Sequence, residues 1–252
     1  MSDSPRPVSL DEAGHRYLER QLETAAEFGL GDPGPRRILD VGCGWGATLR
    51  HLADVFPNCP RLDGINVSAE QLAYCARKMP GTDRVRLYLC DAADIAELPD
   101  SDQPYDLVVA RGAITHFPPR VYESAAAALA RRMRPGGLLV VSETLYSEEF
   151  LAGQQPSPVD ADHLALEHRK SLRYLTDVLR HTGFRIRDER VLPTQEDAAR
   201  WVLDLKSNID VHFPQGASPP LEAIRNMAGA LAVALLRHEA SVHSIVAERR
   251  DT

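Results

Sequence analysis

In the run "ILDVGCGWGATLRHLA" (residues 38–53), the carboxylate of Asp40 borders a bend built on Gly42, Gly44 and Gly46. Glycine is needed where a backbone turns sharply or meets a ligand more closely than a Cβ permits, and strand, glycine turn and helix in succession form a nucleotide-binding arrangement. With Ala47 the run also satisfies the loose G-x-G-x-x-G/A fingerprint, so the glycines alone fit a nicotinamide oxidoreductase as well as other nucleoside binders. Asp40 separates these chemistries. A carboxylate beside the turn repels a docked pyrophosphate and favours a ligand carrying positive charge. The competing reading is that Asp40 caps the turn through backbone N–H groups, and the residues alone leave both open.

Certain elements must position this bend. Tyr17, Leu18, Leu22, Ala25, Ala26 and Phe28 recur at near-helical spacing between Leu10 and Gly29, and "GLGDPGPR" breaks that helix. Beyond it, the apolar runs "RRILDV", "RLDGIN", "RVRLYLC" and "YDLVVA" alternate with helices over 47–55 and 69–79, a rhythm of crossover units and a parallel sheet. The pattern continues with the helix "VYESAAAALARRM", a turn at "RPGG", the strand "LLVVSE" and a helix over 172–181. Then come the strand "GFRIRDERVL", a helical insertion over 195–236 broken at "FPQGASPP", and a final strand "SVHSIVAER". One domain is expected over 1–252: a helical cap (1–35), a cofactor-binding half (36–150) and an acceptor-binding half (151–252) containing the insertion 194–239.

"ILDVGCGWG" resembles the first motif of class I S-adenosylmethionine-dependent methyltransferases, whose cofactor carries both an ammonium and a sulfonium. "GINVSAEQ" resembles the form found in cyclopropane-fatty-acid synthases, sterol and tocopherol methyltransferases and natural-product methyltransferases. The resemblance implies an α/β, Rossmann-like, doubly wound seven-stranded sheet, mostly parallel with the last strand antiparallel. It also implies S-adenosyl-L-methionine as cofactor, with Asp40, Gly42, Cys43 and Gly44 at its first contact. Asn66 takes the place where the family usually has Asp or Glu on the ribose hydroxyls; an amide can still hydrogen-bond a diol, without charge assistance. By the same resemblance Gln71 would help hold the cofactor, and Ser68 is read as a helix cap. Asp91 would accept from the adenine amino group while the Ala92 N–H reaches the ring. Asp63 competes for the ribose by its distance from the loop, but strand alternation puts it on the face opposite Asn66, which is the residue at the carboxyl edge.

By the same resemblance the loop after the fourth strand, "ARGAITHFPP", faces the sulfonium, which places Arg111, Gly112, Thr115 and His116 nearest the transferring methyl. Methyl transfer is an in-line displacement that requires positioning and, for a hydroxyl or acidic C–H acceptor, removal of a proton. His116 suits that role because imidazole titrates near neutral pH, and it equally suits a hydrogen bond within the loop. Cyclopropane synthases have a bicarbonate-holding glutamate before this histidine; Thr115 stands here and weakens a cyclopropanation reading. Glu143, with Tyr146, is the second catalytic candidate, as a base or as a stabiliser of a developing carbocation; the alternative is a strand-end acid facing water. His163 and His168 lie in a segment that lines or lids the acceptor pocket in such enzymes, and neither is given a role.

The chain of 252 residues carries 29 basic and 36 acidic residues, a net charge of -7, which argues against nucleic acid as a partner. Its start lacks the basic-then-apolar order of a signal peptide and "AGALAVALL" is too short to span a bilayer, so a cytoplasmic location is expected. Cys43, Cys59, Cys75 and Cys90 form no C-x-x-C pair and read as reduced, mostly buried thiols. No metal is expected: Asp160, Asp162 and His163 have no matching second cluster and read as a solvated turn. The insertion is richer in apolar residues than a crossover needs. It is expected to pack on the sheet or on a second subunit, giving a homodimer, and to wall an apolar acceptor pocket. The expected function is methyl transfer to oxygen or carbon of a hydrophobic small molecule. A cofactor-binding protein that assists a cyclisation and a nicotinamide oxidoreductase are the two rivals.

Overall fold

The computed structural model describes residues 10–31, 33–79, 83–153 and 168–251. Its centre is a seven-stranded sheet in the order β3-β2-β1-β4-β5-β7-β6. The strands are β1 (Arg37–Val41), β2 (Arg61–Asn66), β3 (Val85–Leu89), β4 (Tyr105–Arg111), β5 (Met133–Tyr146), β6 (Phe184–Val191) and β7 (Ala240–Arg249). The first five run parallel, and β7 is inserted antiparallel between β5 and β6. Strand order therefore reverses between β1 and β4, and ligands of open α/β sheets bind at the carboxyl ends of strands at such a reversal.

Alternation along the strands distributes the core. Ile38, Leu107, Val109, Leu138 and Val140 face α1 (Leu10–Ala26) and α2 (Ala47–Val55), meeting Leu18, Leu22, Leu49 and Leu52. Leu39, Val41, Val108, Leu139 and Val141 face the other layer, where Tyr122 and Leu129 of α4 (Pro119–Arg132) and Leu175 and Leu179 of α6 (Leu172–His181) pack. A β-strand sends successive side chains to opposite faces, so both layers are built from one set of apolar runs. The helix α3 (Ala69–Lys78) opens at Ser68, whose Oγ accepts from the Gln71 N–H at 3.3 Å.

Several elements differ from the sequence expectation. Strand β5 is longer than "LLVVSE": it absorbs the "RPGG" segment at its start and extends to Tyr146, because β7 pairs along it from Glu248 to Ala240. Two short 3-10 helices, over Ala92–Glu97 and Ile114–His116, and the helix α5 (Glu148–Gly153) were not anticipated. The insertion is a hairpin of α7 (Gln195–His212) and α8 (Pro219–Leu236), and Ala198, Ala199, Val202, Ala228, Ala232 and Leu235 form its own core with Tyr146 and Ala240. Trp201, Leu203, Val211, Phe213 and Leu236 remain exposed on it. No described helix is long and apolar enough to cross a membrane.

The amino edge of the sheet is fixed by a buried charge cluster. Asp63, 0% exposed, accepts from Arg37 Nη2 at 2.8 Å, Arg61 Nε at 2.7 Å and the Tyr105 hydroxyl at 2.8 Å. Its oxygens are saturated by residues at the starts of β1, β2 and β4. Asp63 is therefore a structural carboxylate at the amino end of the strands.

Candidate cofactor site and reaction loop

The glycine bend joins β1 to α2. Gly42 N–H and Cys43 N–H both donate to the Ile65 carbonyl, at 3.0 and 2.9 Å, which ties the bend to the end of β2. Gly42, Gly44 and Gly46 have φ of 74°, 51° and 80°, in the left-handed region that L side chains disfavour. The three are not equivalent. A Cβ on Gly42 would lie 2.6 Å from the Ala113 Cβ, and one on Gly46 would overlap Cys75 Sγ, so packing against protein excludes a side chain at both. A Cβ on Gly44 would meet only the Gly42 carbonyl, at 3.9 Å. Gly44 thus leaves open the space into which a ligand can come close to the backbone. Cys43 between them is buried and packs the bend.

Asp40 does not cap this turn, because the two leading N–H groups go to Ile65 instead. It is 2% exposed, and its Oδ2 is buried without a hydrogen-bond partner among the described residues. Burial pushes its carboxyl up to about 7, and the Arg111 charge pulls it back down. Arg111 ends β4, on the face of Asp40: Asp40 pairs in register with Val109, two residues earlier on that strand. Its guanidinium runs beneath α1, with Nη2 3.2 Å from the Gly14 carbonyl, Nη1 3.4 Å from Thr48 Oγ1 and the Tyr17 ring 5.1 Å away. Its Nε has no partner among the described residues.

A buried carboxylate oxygen and a buried guanidinium N–H, both unsatisfied, are costly unless a ligand completes them. The amino-acid end of S-adenosylmethionine, with an ammonium and a carboxylate, matches both groups. A diphosphate matches neither Asp40 nor its burial. The residues present therefore fit the adenosyl donor.

At the next strand ends, Asn66 Nδ2 donates to Gln71 Oε1 at 2.6 Å. The two amides orient one another, leaving the Asn66 carbonyl oxygen as acceptor and the Gln71 amino group as donor at the mouth of the cleft. Asp91 is exposed and caps the first 3-10 helix, its Oδ1 accepting from the Ala93 N–H at 2.9 Å. Ala92, beside it, is buried. The exposed apolar side chains Trp45, Val67 and Leu89 belong to the glycine bend and to the ends of β2 and β3.

The loop after β4 carries the second 3-10 helix, Ile114–His116. His116 is exposed, and its ring makes no hydrogen bond among the described residues, so the loop-bonding alternative is not what the structure shows. Glu143 corrects the sequence expectation. It is 1% exposed and faces neither water nor the cleft: Oε1 accepts from the Ala113 and Ile114 N–H groups at 2.7 and 2.6 Å, and Oε2 from the Thr115 hydroxyl at 3.1 Å. Burial raises its carboxyl to about 7 against the pull of these donors. With both oxygens engaged by the loop, Glu143 anchors the loop and is not the water-facing strand-end acid that was the alternative reading. Thr115 supplies one of those donors.

Sequence reasoning missed Lys170. It is 3% exposed, and its Nζ donates to the carbonyls of Ile114, Phe117 and His168 at 2.9, 2.7 and 2.8 Å. Nothing in "EHRKSL" signals this, since a lysine there reads as surface. His168 contributes its carbonyl, whereas Asp160, Asp162 and His163 lie outside the described residues. Among the described residues no group of histidine, cysteine and acid could hold a metal ion. Tyr146 stacks on Phe150 at 5.3 Å. A small cavity of about 50 Å³ between Thr115, Thr144, Tyr146, Arg169 and Leu231 brings the insertion's α8 to the reaction loop. A larger one, about 350 Å³, lies between the start of α6 and β7, bordered by Leu145, Ser171, Leu172 and His243.

Residues 38–137 match the family described as "Methyltransferase domain". The 27-O-demethylrifamycin SV methyltransferase of Amycolatopsis mediterranei (strain S699) is 32% identical over 158 residues, 62% of this chain and 52% of the relative. The cyclopropane-fatty-acyl-phospholipid synthase of Escherichia coli (strain K12) is 30% identical over 105 residues, 42% of this chain and 25% of the relative. The cyclopropane synthase MmaA2 of Mycobacterium tuberculosis superposes with a TM-score of 0.73 at 18% identity, covering 98% of this chain and 87% of that one. The chain thus spans between a quarter and about half of these curated relatives' length. Over residues 38–137 the chain is thus similar to a methyltransferase domain, and it shares its fold with the cyclopropane synthase structure.

Proposed function

We propose that the protein transfers a methyl group from S-adenosylmethionine to oxygen or carbon of a hydrophobic small molecule. The observation that carries this reading is the unpaired, buried Asp40 Oδ2 beside a bend that Gly44 leaves open. A nicotinamide dinucleotide would set its diphosphate against that acid, which disfavours the oxidoreductase alternative. When bound, the cofactor supplies an electrophilic methyl on a sulfonium.

The chain's own residues do the rest. Asp40 and Arg111 hold the amino-acid end, Asn66 and Gln71 present an acceptor and a donor to the ribose, and Asp91 with the Ala92 N–H addresses the base. His116, exposed beside the cleft, takes the proton of a hydroxyl or acidic C–H acceptor, and Thr115, Tyr146 and Leu231 border the acceptor. The rifamycin-modifying relative acts on a natural product, and the lipid-directed name of the second relative agrees with an apolar acceptor. We read residues 1–252 as one domain. The unpaired thiols of Cys43, Cys59, Cys75 and Cys90 suit a reducing cytoplasm, and the net negative charge disfavours nucleic acid. The exposed Trp201 and Leu236 suit a homodimer, which sedimentation will reveal.

Calorimetry with S-adenosylhomocysteine and with NAD tests the cofactor. Tight binding of NAD alone overturns the reading. Transfer of labelled methyl to a panel of apolar hydroxylated and activated-carbon acceptors tests the reaction, and separates it from a cyclisation that merely uses the bound cofactor. His116→Ala should leave S-adenosylhomocysteine binding unchanged and slow transfer about 100-fold, the scale of general-base catalysis.

A further inference from the structure

The 3-10 helix Ile114–His116 is gripped at both ends by buried charges of opposite sign, and neither charge forms an ion pair with the other. At its start, Glu143 collects the N–H groups of Ala113 and Ile114 and the hydroxyl of Thr115. At its end, Lys170 collects the carbonyls of Ile114 and Phe117. The N–H groups that open the turn have no carbonyl partner within it and meet the anion, while Lys170 takes the Phe117 carbonyl and shares the Ile114 carbonyl with the Phe117 N–H. Both charges are anchored on one strand. Glu143 belongs to β5, and the Lys170 carbonyl accepts the N–H of Tyr146 at the end of β5, at 2.9 Å.

Burying a carboxylate and an ammonium is expensive, and an apolar residue at either place would fill the volume without that cost. The geometry satisfies both only through the loop, so the charges' effect is exerted on the loop's shape. We propose that Glu143 and Lys170 are positioning residues that together hold the loop 111–117 in the one conformation that presents His116 to the methyl-transfer cleft. This rests on the methyltransferase reading for the purpose of the loop, and on the hydrogen bonds of Glu143 and Lys170 for the clamp. Since Arg111 opens the same loop, its place beside Asp40 depends on the same hold.

The test compares wild type, Lys170→Met, Lys170→Arg and Glu143→Gln by amide hydrogen exchange and by the NMR signal of the His116 ring, with and without S-adenosylhomocysteine. Lys170→Met keeps the aliphatic stem and removes the three donated hydrogen bonds. Expected are at least tenfold faster exchange at Ala113, Ile114 and Thr115 and a broadened or doubled His116 signal, with exchange in β1 and β4 unchanged. Lys170→Arg, which keeps the charge and the donors, should restore part of the protection. Glu143→Gln should reproduce the loop effect of Lys170→Met. Unchanged exchange at the three loop amides in both Lys170→Met and Glu143→Gln overturns the proposal, as does faster exchange spread evenly over the sheet, the signature of a merely global stabiliser. If wild type fails to bind S-adenosylhomocysteine while the loop responds as described, the clamp stands and the cofactor reading falls.

Discussion

Asp40 and Arg111 carry opposite charges on adjacent strands, face the same side of the sheet and form no ion pair within 4.0 Å among the described residues. A pair that served only to stabilise the fold would close that gap. These two are kept apart, with one polar atom on each left unmatched, as in a receptacle for a zwitterion.

Replacing Asp40 by asparagine should therefore stabilise the free protein while abolishing binding. Burial raises the Asp40 carboxyl from 3.8 to about 7, so between those values the folded chain holds a proton that the unfolded chain has released. Stability then falls as pH rises through this window and stays depressed above it. A neutral amide in the same place has no such penalty. Urea unfolding should show Asp40→Asn more stable than wild type by about 2–4 kcal/mol at pH 8 and nearly equal to it at pH 4. Calorimetry with S-adenosylhomocysteine should show no binding by the variant.

Affinity for the same ligand should depend on pH on its acid side. Below about 7, the neutral Asp40 has lost its attraction for the ligand ammonium, and affinity should fall by up to about tenfold per unit of pH. Above that value Asp40 stays ionised, and affinity should level off. Titrations from pH 5.5 to 8.5 should give a rise that levels off above about 7. A flat profile would remove Asp40 from the ligand's contacts.

The glycines should divide by what their missing side chain would touch. Gly46→Ala drives a methyl into Cys75 Sγ, and Gly42→Ala drives one into Ala113, so both should unfold at markedly lower denaturant. Gly44→Ala meets open space and should lose only about 1 kcal/mol for its positive φ, yet its methyl occupies the ligand's approach. Thermal melts and calorimetry on the three variants should separate strain from exclusion.

Asp63→Asn should do the reverse of Asp40→Asn. Removing the charge leaves Arg37 buried without its counter-ion and Arg61 paired with Asp100 alone, a loss of about 3–5 kcal/mol, while the ligand affinity of the folded fraction stays unchanged. A loss of affinity at full folding would place Asp63 in the site after all.

The alternation of apolar runs with helices made a parallel sheet of crossover units readable in the sequence, and the helical insertion over 195–236 was visible in the same way, broken at "FPQGASPP". Asn66 could be preferred over Asp63 because strand periodicity is a local property of the chain. Glu143 and Lys170 could not be read that way. Their partners lie 28 to 56 residues away in sequence, on a loop whose shape depends on the folded sheet. A carboxylate at a strand end looks the same in sequence whether it meets water, substrate or three loop donors. Burial of a lysine depends on carbonyls that no spacing rule brings together.

The hairpin of α7 and α8 packs chiefly on itself, and it leans on the rest of the molecule through Tyr146, Phe150 and Ala240. None of the groups assigned to the cofactor lies on it. On the reading proposed above, exchange of the whole hairpin would change one wall of the acceptor pocket and leave the residues assigned to the donor untouched.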